Sequence, residues 1–436
     1  MRVLSQESSQ VLRNVAETYS AQLFRIAGTL AFNIWFTRLL APADRGSYGV
    51  AIAIALIGAQ FGQTGLNTAN TYFAAKKPHT SQALLGNSTL AAVTIGPVLV
   101  LVTFLASKLF PNSIATTHNC FILAMCYIPF ALGYFYFQGL LLGTHQIRTY
   151  NFLEIINRYV PLVFLALLVW IGRVTSTTVL AGVLLGQIIA CIWAWKSLYK
   201  TTDGVRISWP LMGDMFRYGV KIHLATIFSF LLFRADLLMV ARMRNAEEAG
   251  YYSLATSLAE YMSLPAFVVG TILLPHLSAL NEPARKFQMM LHWLGGIAII
   301  TIPLFLLAGY LGHPMIRWVC GAKYLPSFSG FLWLLPGVYF LGLACVSVQF
   351  ITSIGYKLSV SAAWFVALVL NLISNLYVIP HYGFVGASIT SSACYGLAFL
   401  FIFLIGWKYR NSEESAPTIT LAPIPPEESI PYIEPA

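Results

Sequence analysis

Twelve apolar stretches of 22–29 residues follow one another along the chain. They lie at about 17–39, 47–73, 83–109, 118–141, 150–171, 177–199, 216–241, 249–274, 290–312, 325–353, 358–379 and 384–407. About 20 apolar residues suffice to cross a bilayer as a helix, and a helix satisfies its own backbone hydrogen bonds there. Only 10% of the residues are charged, against about 25% in soluble domains. One fold class remains: an all-α integral membrane protein of about twelve transmembrane helices.

An even number of crossings places both termini on one side. With the amino terminus inside, fourteen loop lysines and arginines, among them Lys76, Lys77, Lys196, Lys200, Arg285 and Lys357, fall on the cytoplasmic side and eight on the other. Positive charge collects in cytoplasmic loops, so both ends are expected inside a plasma (inner) membrane. Residues 1–16 form a polar cytoplasmic segment without the apolar run of a signal peptide. Helices 1–6 occupy 17–199, a polar linker 200–215, and helices 7–12 occupy 216–407. The segment 408–436 ends in TLAPIPPEESIPYIEPA. It is too poor in apolar residues to build a core and is expected to be disordered. The net charge of +10 is read as loop charge facing anionic membrane lipid, not as a nucleic-acid surface.

The chain is duplicated in outline. APADRGSYGVA at 41–51 resembles NAEEAGYYSLA at 245–255, an offset of 204 that pairs Gly46 with Gly250, Tyr48 with Tyr252 and Ala51 with Ala255. Gly182 and Gly386 share that offset. Six helices return the chain to its starting side. Two six-helix lobes are therefore expected, related by an axis along the membrane normal.

Several chemistries find no footing. The dipeptide Gly-Lys never occurs, so there is no phosphate loop for ATP. The eight histidines show no ligand spacing, and the six cysteines contain no CxxC pair. No metal site or disulfide frame is expected. The longest loop, 200–215, is too short for a soluble catalytic domain. The sequence speaks for moving something rather than converting it.

The informative residues are the polar ones inside the helices, because an ionised group at membrane depth costs roughly 3 kcal/mol or more unless it meets water or a partner. Gln22, Arg25, Thr29 and Asn33 share one face of the first helix. Arg25 lies about 12 Å deep at 1.5 Å per residue, within reach of a cavity or of the inner headgroups. Gln60, Gln63, Asn67 and Asn70 share a face of the second helix. They suit either close helix packing or hydrogen bonds to sugar hydroxyls. Glu154 and Arg158 have the i,i+4 spacing of a helical salt bridge. Arg234 and Asp236 point away from each other on the seventh helix, so each needs another partner. Glu260, near mid-membrane, is the deepest acid; it counters a cavity arginine or binds a coupling cation or proton. Lys221 lies near a helix end and snorkels. The set leans basic, and a basic pocket suits an anion such as phosphate, which arginine holds in forked geometry.

Longer motifs resemble a known family. LLPGVYFLGLACVSVQFITSIGY (334–356) and NLISNLYVIPHYGFVGASITSS (371–392) carry Pro336-Gly337, Gly355, Asn371, Asn375, Ile379-Pro380, Gly383 and Gly386-Ala387. With AEEAGYYSLATSLAEYMSLP, GLLLGTHQIRTYN and RLLAPADRGSYG, they resemble the Wzx-type polysaccharide flippases. Those form the polysaccharide transporter branch of the MOP (multidrug/oligosaccharidyl-lipid/polysaccharide) superfamily. The resemblance implies two six-helix lobes, a central cationic cavity lined mainly by helices 1, 2, 7 and 8, and passage of a lipid-linked oligosaccharide between leaflets for O-antigen, capsule or exopolysaccharide assembly.

On this reading Arg25 and Arg234 hold a pyrophosphate, while Asn33, Gln63 and Asn67 meet the glycan. Arg158, Asp236 and Glu260 complete the candidate cavity set. No cofactor is expected beyond a coupling ion, H+ or Na+. The implied partners are the lipid-linked oligosaccharide, membrane lipids and polysaccharide polymerase or assembly proteins. Two alternatives stay open: a cation-coupled multidrug exporter of the same superfamily, and a membrane glycan ligase or polymerase.

Overall fold

Helices begin where the sequence supplies start chemistry. Proline occupies the first turn of four of them, at Pro42, Pro210, Pro265 and Pro283, where its missing N–H is not needed. Thr175 and Thr178 form a reciprocal capping box, and Asn245 accepts the Glu248 N–H at 2.8 Å. A computed structural model describes residues 24–109, 116–202, 204–355 and 357–411. The amino-terminal segment 1–16, Gln22, the Lys221 side chain and the tail beyond 411 lie outside the described residues.

The helices, in order, are α1 (24–39), α2 (Pro42–Gln63), α3 (Leu66–Lys76), α4 (Ser81–Leu109), α5 (His118–Gly143), α6 (Ile147–Ile171) and α7 (Ser176–Thr201). They continue as α8 (Trp209–Met243), α9 (Ala246–Met262), α10 (Leu264–Ser278), α11 (Pro283–Val319), α12 (Ser327–Ser353) and α13 (Leu358–Lys408). The described residues contain no strand. Eight helices are long and apolar enough to cross a bilayer, and the bent pairs α2–α3 and α9–α10 raise the number to ten. Helix α13 counts once there but has two arms, and α1 is described from residue 24 onward. The twelve expected crossings each find their element.

Two differences from the sequence reading matter later. Helix α2 starts at Pro42 rather than at 47, which takes Arg45 out of a loop and into its first turn. The second crossing is also broken. Thr64 and Gly65 both adopt positive φ (45° and 78°), and α3 leaves α2 at 46°. Its counterpart α9–α10 bends by 43°.

Helix α13 is a hairpin. Gly383, at φ 57° and ψ −147°, takes a conformation that only glycine adopts readily. Lys357 and Tyr409, just outside its two ends, meet with Nζ 4.9 Å from the ring centre. At the tip, Glu248 accepts the Phe384 N–H at 3.1 Å and pairs with Arg244 at 2.9 Å, while Arg244 donates to Pro380 O at 3.1 Å.

The halves join along α2 and α9. A Cβ on Gly46 would lie 1.8 Å from the Ala246 carbonyl oxygen, and one on Gly250 1.9 Å from that of Pro42. Both relations carry the 204-residue offset, so the contact maps onto itself when the halves are exchanged, as an isologous interface does. Around it lie more cross-half bonds: Lys323 to Arg38 O at 2.8 Å, Tyr324 to Leu40 O at 3.1 Å and Arg38 to Trp318 O at 3.1 Å. Burial draws the Lys323 ammonium pKa down. This is the seam side; the opposite side carries the α7–α8 linker. There α8 reaches into the amino-terminal half: Met215 joins its core, and Tyr218 stacks on Tyr72 at 4.6 Å.

Candidate functional site

Arg158, on α6, is exposed although groups from both halves surround it. Tyr48 of α2, Tyr127 of α5 and Tyr261 of α9 all lie within electrostatic reach of its guanidinium. It makes no hydrogen bond or ion pair among the described residues. Arg158 is thus an exposed cation within reach of groups from both halves, with no ion-pair partner among the described residues. Asn33 of α1 donates to Tyr261 Oη at 3.2 Å.

The expected Glu154–Arg158 bridge does not form. Glu154 spends both oxygens elsewhere: Oε2 takes Arg25 at 3.0 Å, and Oε1 accepts from Tyr134 at 3.1 Å and from Gln138. Arg25 is thereby corrected from a free phosphate ligand to a clamp tying α1 to α6. Its side chain is 33% exposed and that of Glu154 11%. Pairing neutralises Arg25.

The amides of the second crossing also require correction. The break at Thr64–Gly65 destroys the single face that their spacing implies. Gln60 and Gln63 are buried, and Asn70 is wholly inside, donating to Ser88 Oγ at 2.8 Å and Tyr136 O at 2.9 Å. Asn67 lies half-buried against α5, where its Oδ1 would stand 2.2 Å from a Cβ on Gly139. In this arrangement Gln63 and Asn67 pack against neighbouring helices.

Arg234 pairs with Glu260 at 3.0 Å. The two line a cavity of about 250 Å³ with Phe230, Phe233, Phe267 and Tyr395, all from the carboxy-terminal half. Arg234 therefore faces a pocket inside one half and not the space between them, and its buried Nε has no acceptor.

Asp236 is not in a cavity either. It is fully buried, accepting from Asn375 at 2.8 Å, from Tyr252 at 3.0 Å and from Ser391. Asn375 also donates to Asn371 Oδ1 at 3.2 Å. Among the described residues Asn375 Oδ1 has no donor. Among the described residues no three His, Cys, Asp or Glu side chains converge. A divalent cage is not formed, but the oxygens around Asp236 are the hard donors that a monovalent cation accepts.

The sequence profile of a family described as "Polysaccharide biosynthesis protein" matches residues 35–329, more than half of the chain. The chain belongs to that family.

An uncharacterized membrane protein of Methanocaldococcus jannaschii is 22% identical over 332 residues, 72% of this chain and 65% of that protein. The chain thus spans somewhat less than two thirds of the length of this curated relative. Among solved structures, this polysaccharide biosynthesis protein shares its fold with an inward-facing multidrug resistance MATE family transporter of the MOP superfamily. The TM-score is 0.73 at 13% identity, covering 89% of this chain and 95% of the other. The lipid II flippase MurJ, in an inward closed conformation, gives 0.71 at 16% identity, with 90% and 87% covered. The fold is that of the MOP superfamily.

One residue of this polysaccharide biosynthesis protein escaped the sequence reading. Arg45, assigned to a loop, is only 1% exposed. It donates to Thr37 Oγ1, reaches Ser253 O of the other half at 3.4 Å and sits 4.8 Å above the Phe36 ring. Its signal was present: Pro42 can open a helix at its first position, which carries Arg45 inward beside Gly46. Glycines and arginines together at the seam of a duplicated protein mark where its halves meet.

Proposed function

We propose that this protein is a flippase that carries a lipid-linked oligosaccharide across the membrane for surface polysaccharide assembly. The lipid anchor is a polyprenyl pyrophosphate. The observation that carries the reading is Arg158: an exposed cation, without a carboxylate partner among the described residues, within reach of groups from both halves. A guanidinium so placed offers a pyrophosphate two parallel N–H donors in a low-dielectric setting. Family membership supports the glycan, and the flippase neighbour supports the lipid-borne form. The prenyl chain stays in lipid while the headgroup crosses.

The charge bias places the linker side in the cytoplasm and the seam side outside. The closed seam supports entry of cargo from the linker side. Rocking of the halves about α2 and α9 then alternates access. The bends at Thr64–Gly65 and Ser263 let α2 and α9 part while α3 and α10 keep their packing. We also propose that a monovalent coupling cation binds at Asp236. The donorless Asn375 Oδ1 beside a buried carboxylate supports this. Asp236, Asn371, Asn375 and Ser391 would hold the ion, whose movement supplies the energy of transport.

The test is flipping of a fluorescent polyprenyl-diphosphate oligosaccharide in proteoliposomes. Arg158→Gln is expected to lower the rate at least tenfold, with Arg158→Lys intermediate because it keeps charge but loses the fork. Full activity of Arg158→Gln overturns the reading. The multidrug exporter alternative, favoured by the MATE neighbour, needs a free acid for organic cations. Glu154 and Glu260 are both occupied by arginine, which argues against it. Efflux of cationic dyes in the same vesicles would reverse that judgement.

A further inference from the structure

The seam holds a charge that closing it should not favour. Arg45 is fully enclosed, and its Nε has no acceptor. The ionisable groups that act on it most are Tyr324, Cys320, Tyr48 and Tyr261, and no carboxylate pairs with it among the described residues. Its neighbour Asp44 faces away, accepting from Ser176 at 3.4 Å. A buried guanidinium held only by a hydroxyl, a carbonyl and an aromatic face is poorly compensated for its lost water.

Position gives that charge a use. Among the described residues its bond across the halves runs to Ser253 O, on α9. Gly49, the repeat partner of Ser253 at the 204-residue offset, faces that side chain so closely that a Cβ on it would stand 2.9 Å from Ser253 Oγ. Separation of α2 from α9 therefore uncovers Arg45. Below it, Tyr48 and Tyr261 lie within reach of Arg45 and of Arg158 alike. Two arginines with no carboxylate partner among the described residues thus lie near the same two tyrosines, Arg158 exposed and Arg45 enclosed at the seam.

We propose that Arg45 is a second phosphate-binding station on the transport path, sequestered while the seam is closed and exposed as it opens. This rests on the flippase reading and deepens it. The ligand class is a phosphate or diphosphate monoester. Its arrival replaces the water that Arg45 lacks, so the anion stabilises the open seam in preference to the closed one. Cargo thereby promotes its own exit.

The reporter is Ser253→Cys, at the seam, in the full chain with exposed Cys126 replaced by Ala. Labelling by a membrane-impermeant thiol reagent, corrected for the Ser253 parent, reads seam opening. Farnesyl diphosphate is expected to raise labelling at least threefold. Arg45→Gln removes that rise while Arg158-dependent binding of radiolabelled farnesyl diphosphate stays within twofold. A rise with inorganic pyrophosphate as well shows that the free group suffices; a rise with the prenyl form alone shows a lipid-borne ligand. Arg45→Gln is also expected to keep or raise the Tm and to lower labelling without ligand. An unchanged ligand response in Arg45→Gln overturns the proposal, as does a lowered Tm with raised basal labelling, the mark of a mere brace. If farnesyl diphosphate fails to bind the parent, the flippase reading falls with it; if it binds without opening the seam, only the station falls.

Discussion

Gly46 and Gly250 face each other across the two halves, each pressed onto the other's helix through bare backbone. No side-chain rearrangement relieves a carbonyl oxygen 1.8 Å from an added methyl. Gly46→Ala and Gly250→Ala are therefore expected to behave alike. Each protein inserts and folds, but the seam stays ajar and flipping falls at least tenfold. Labelling of Ser253→Cys from outside measures the first effect and the vesicle assay the second. A strong effect at one glycine and none at the other would contradict the reciprocity of the contact.

The Arg25–Glu154 clamp predicts a different outcome from a ligand site. Glu154→Gln removes the ion pair and weakens bonds from Tyr134 and Gln138. A loss of about 1–3 kcal/mol is expected for hydrogen bonds to a charged group, seen as a lower Tm in detergent. Arg25→Gln, with a third of its side chain in water, should lose less. The double variant should lose less than the sum of the two. Additive losses show the pair to be uncoupled.

Gly383→Ala tests the hairpin tip. An added Cβ would stand 2.3 Å from Glu248 Oε2 on a backbone with positive φ. Strain of this kind costs about 1–3 kcal/mol. The variant should melt earlier, and Glu248→Ala, which frees the space but removes a bond to Phe384, should restore only part. Circular-dichroism melts in one detergent check both. A Gly383→Ala melt equal to the parent's removes the glycine requirement.

Asp236→Asn addresses coupling. It keeps shape and burial but removes the carboxylate that a cation needs. Flipping down an imposed Na+ or H+ gradient is expected to stop, with binding of farnesyl diphosphate within about threefold of the parent. Flipping by the variant that still follows the gradient rules Asp236 out as the coupling site.

The crossings were legible because length and apolarity alone determine them: 118–141 became His118–Gly143, and 325–353 became Ser327–Ser353. The duplication was legible because its equivalent glycines meet. What failed was extrapolation of regular geometry. A steady helical period put Gln63 and Asn67 on one face, but Thr64 and Gly65 turn the chain between them. Local spacing favoured Arg158 for Glu154, whereas the partner chosen lies 129 positions away. Asp236 likewise finds Asn375 and Ser391 at separations of 139 and 155. Such choices depend on how helices stack, which no window of adjacent residues records. Arg45 was missed through a helix start placed five positions late, enough to turn an interior group into a surface one.

The α13 hairpin is fastened at its tip through Glu248 and Arg244 and at its open end through Lys357 and Tyr409. Held to α8 and α9 at the tip and closed on itself at the open end, the hairpin moves as one lever and not as two independent helices. A displacement of the tip is then passed to Asn375 and Ser391, which hold Asp236.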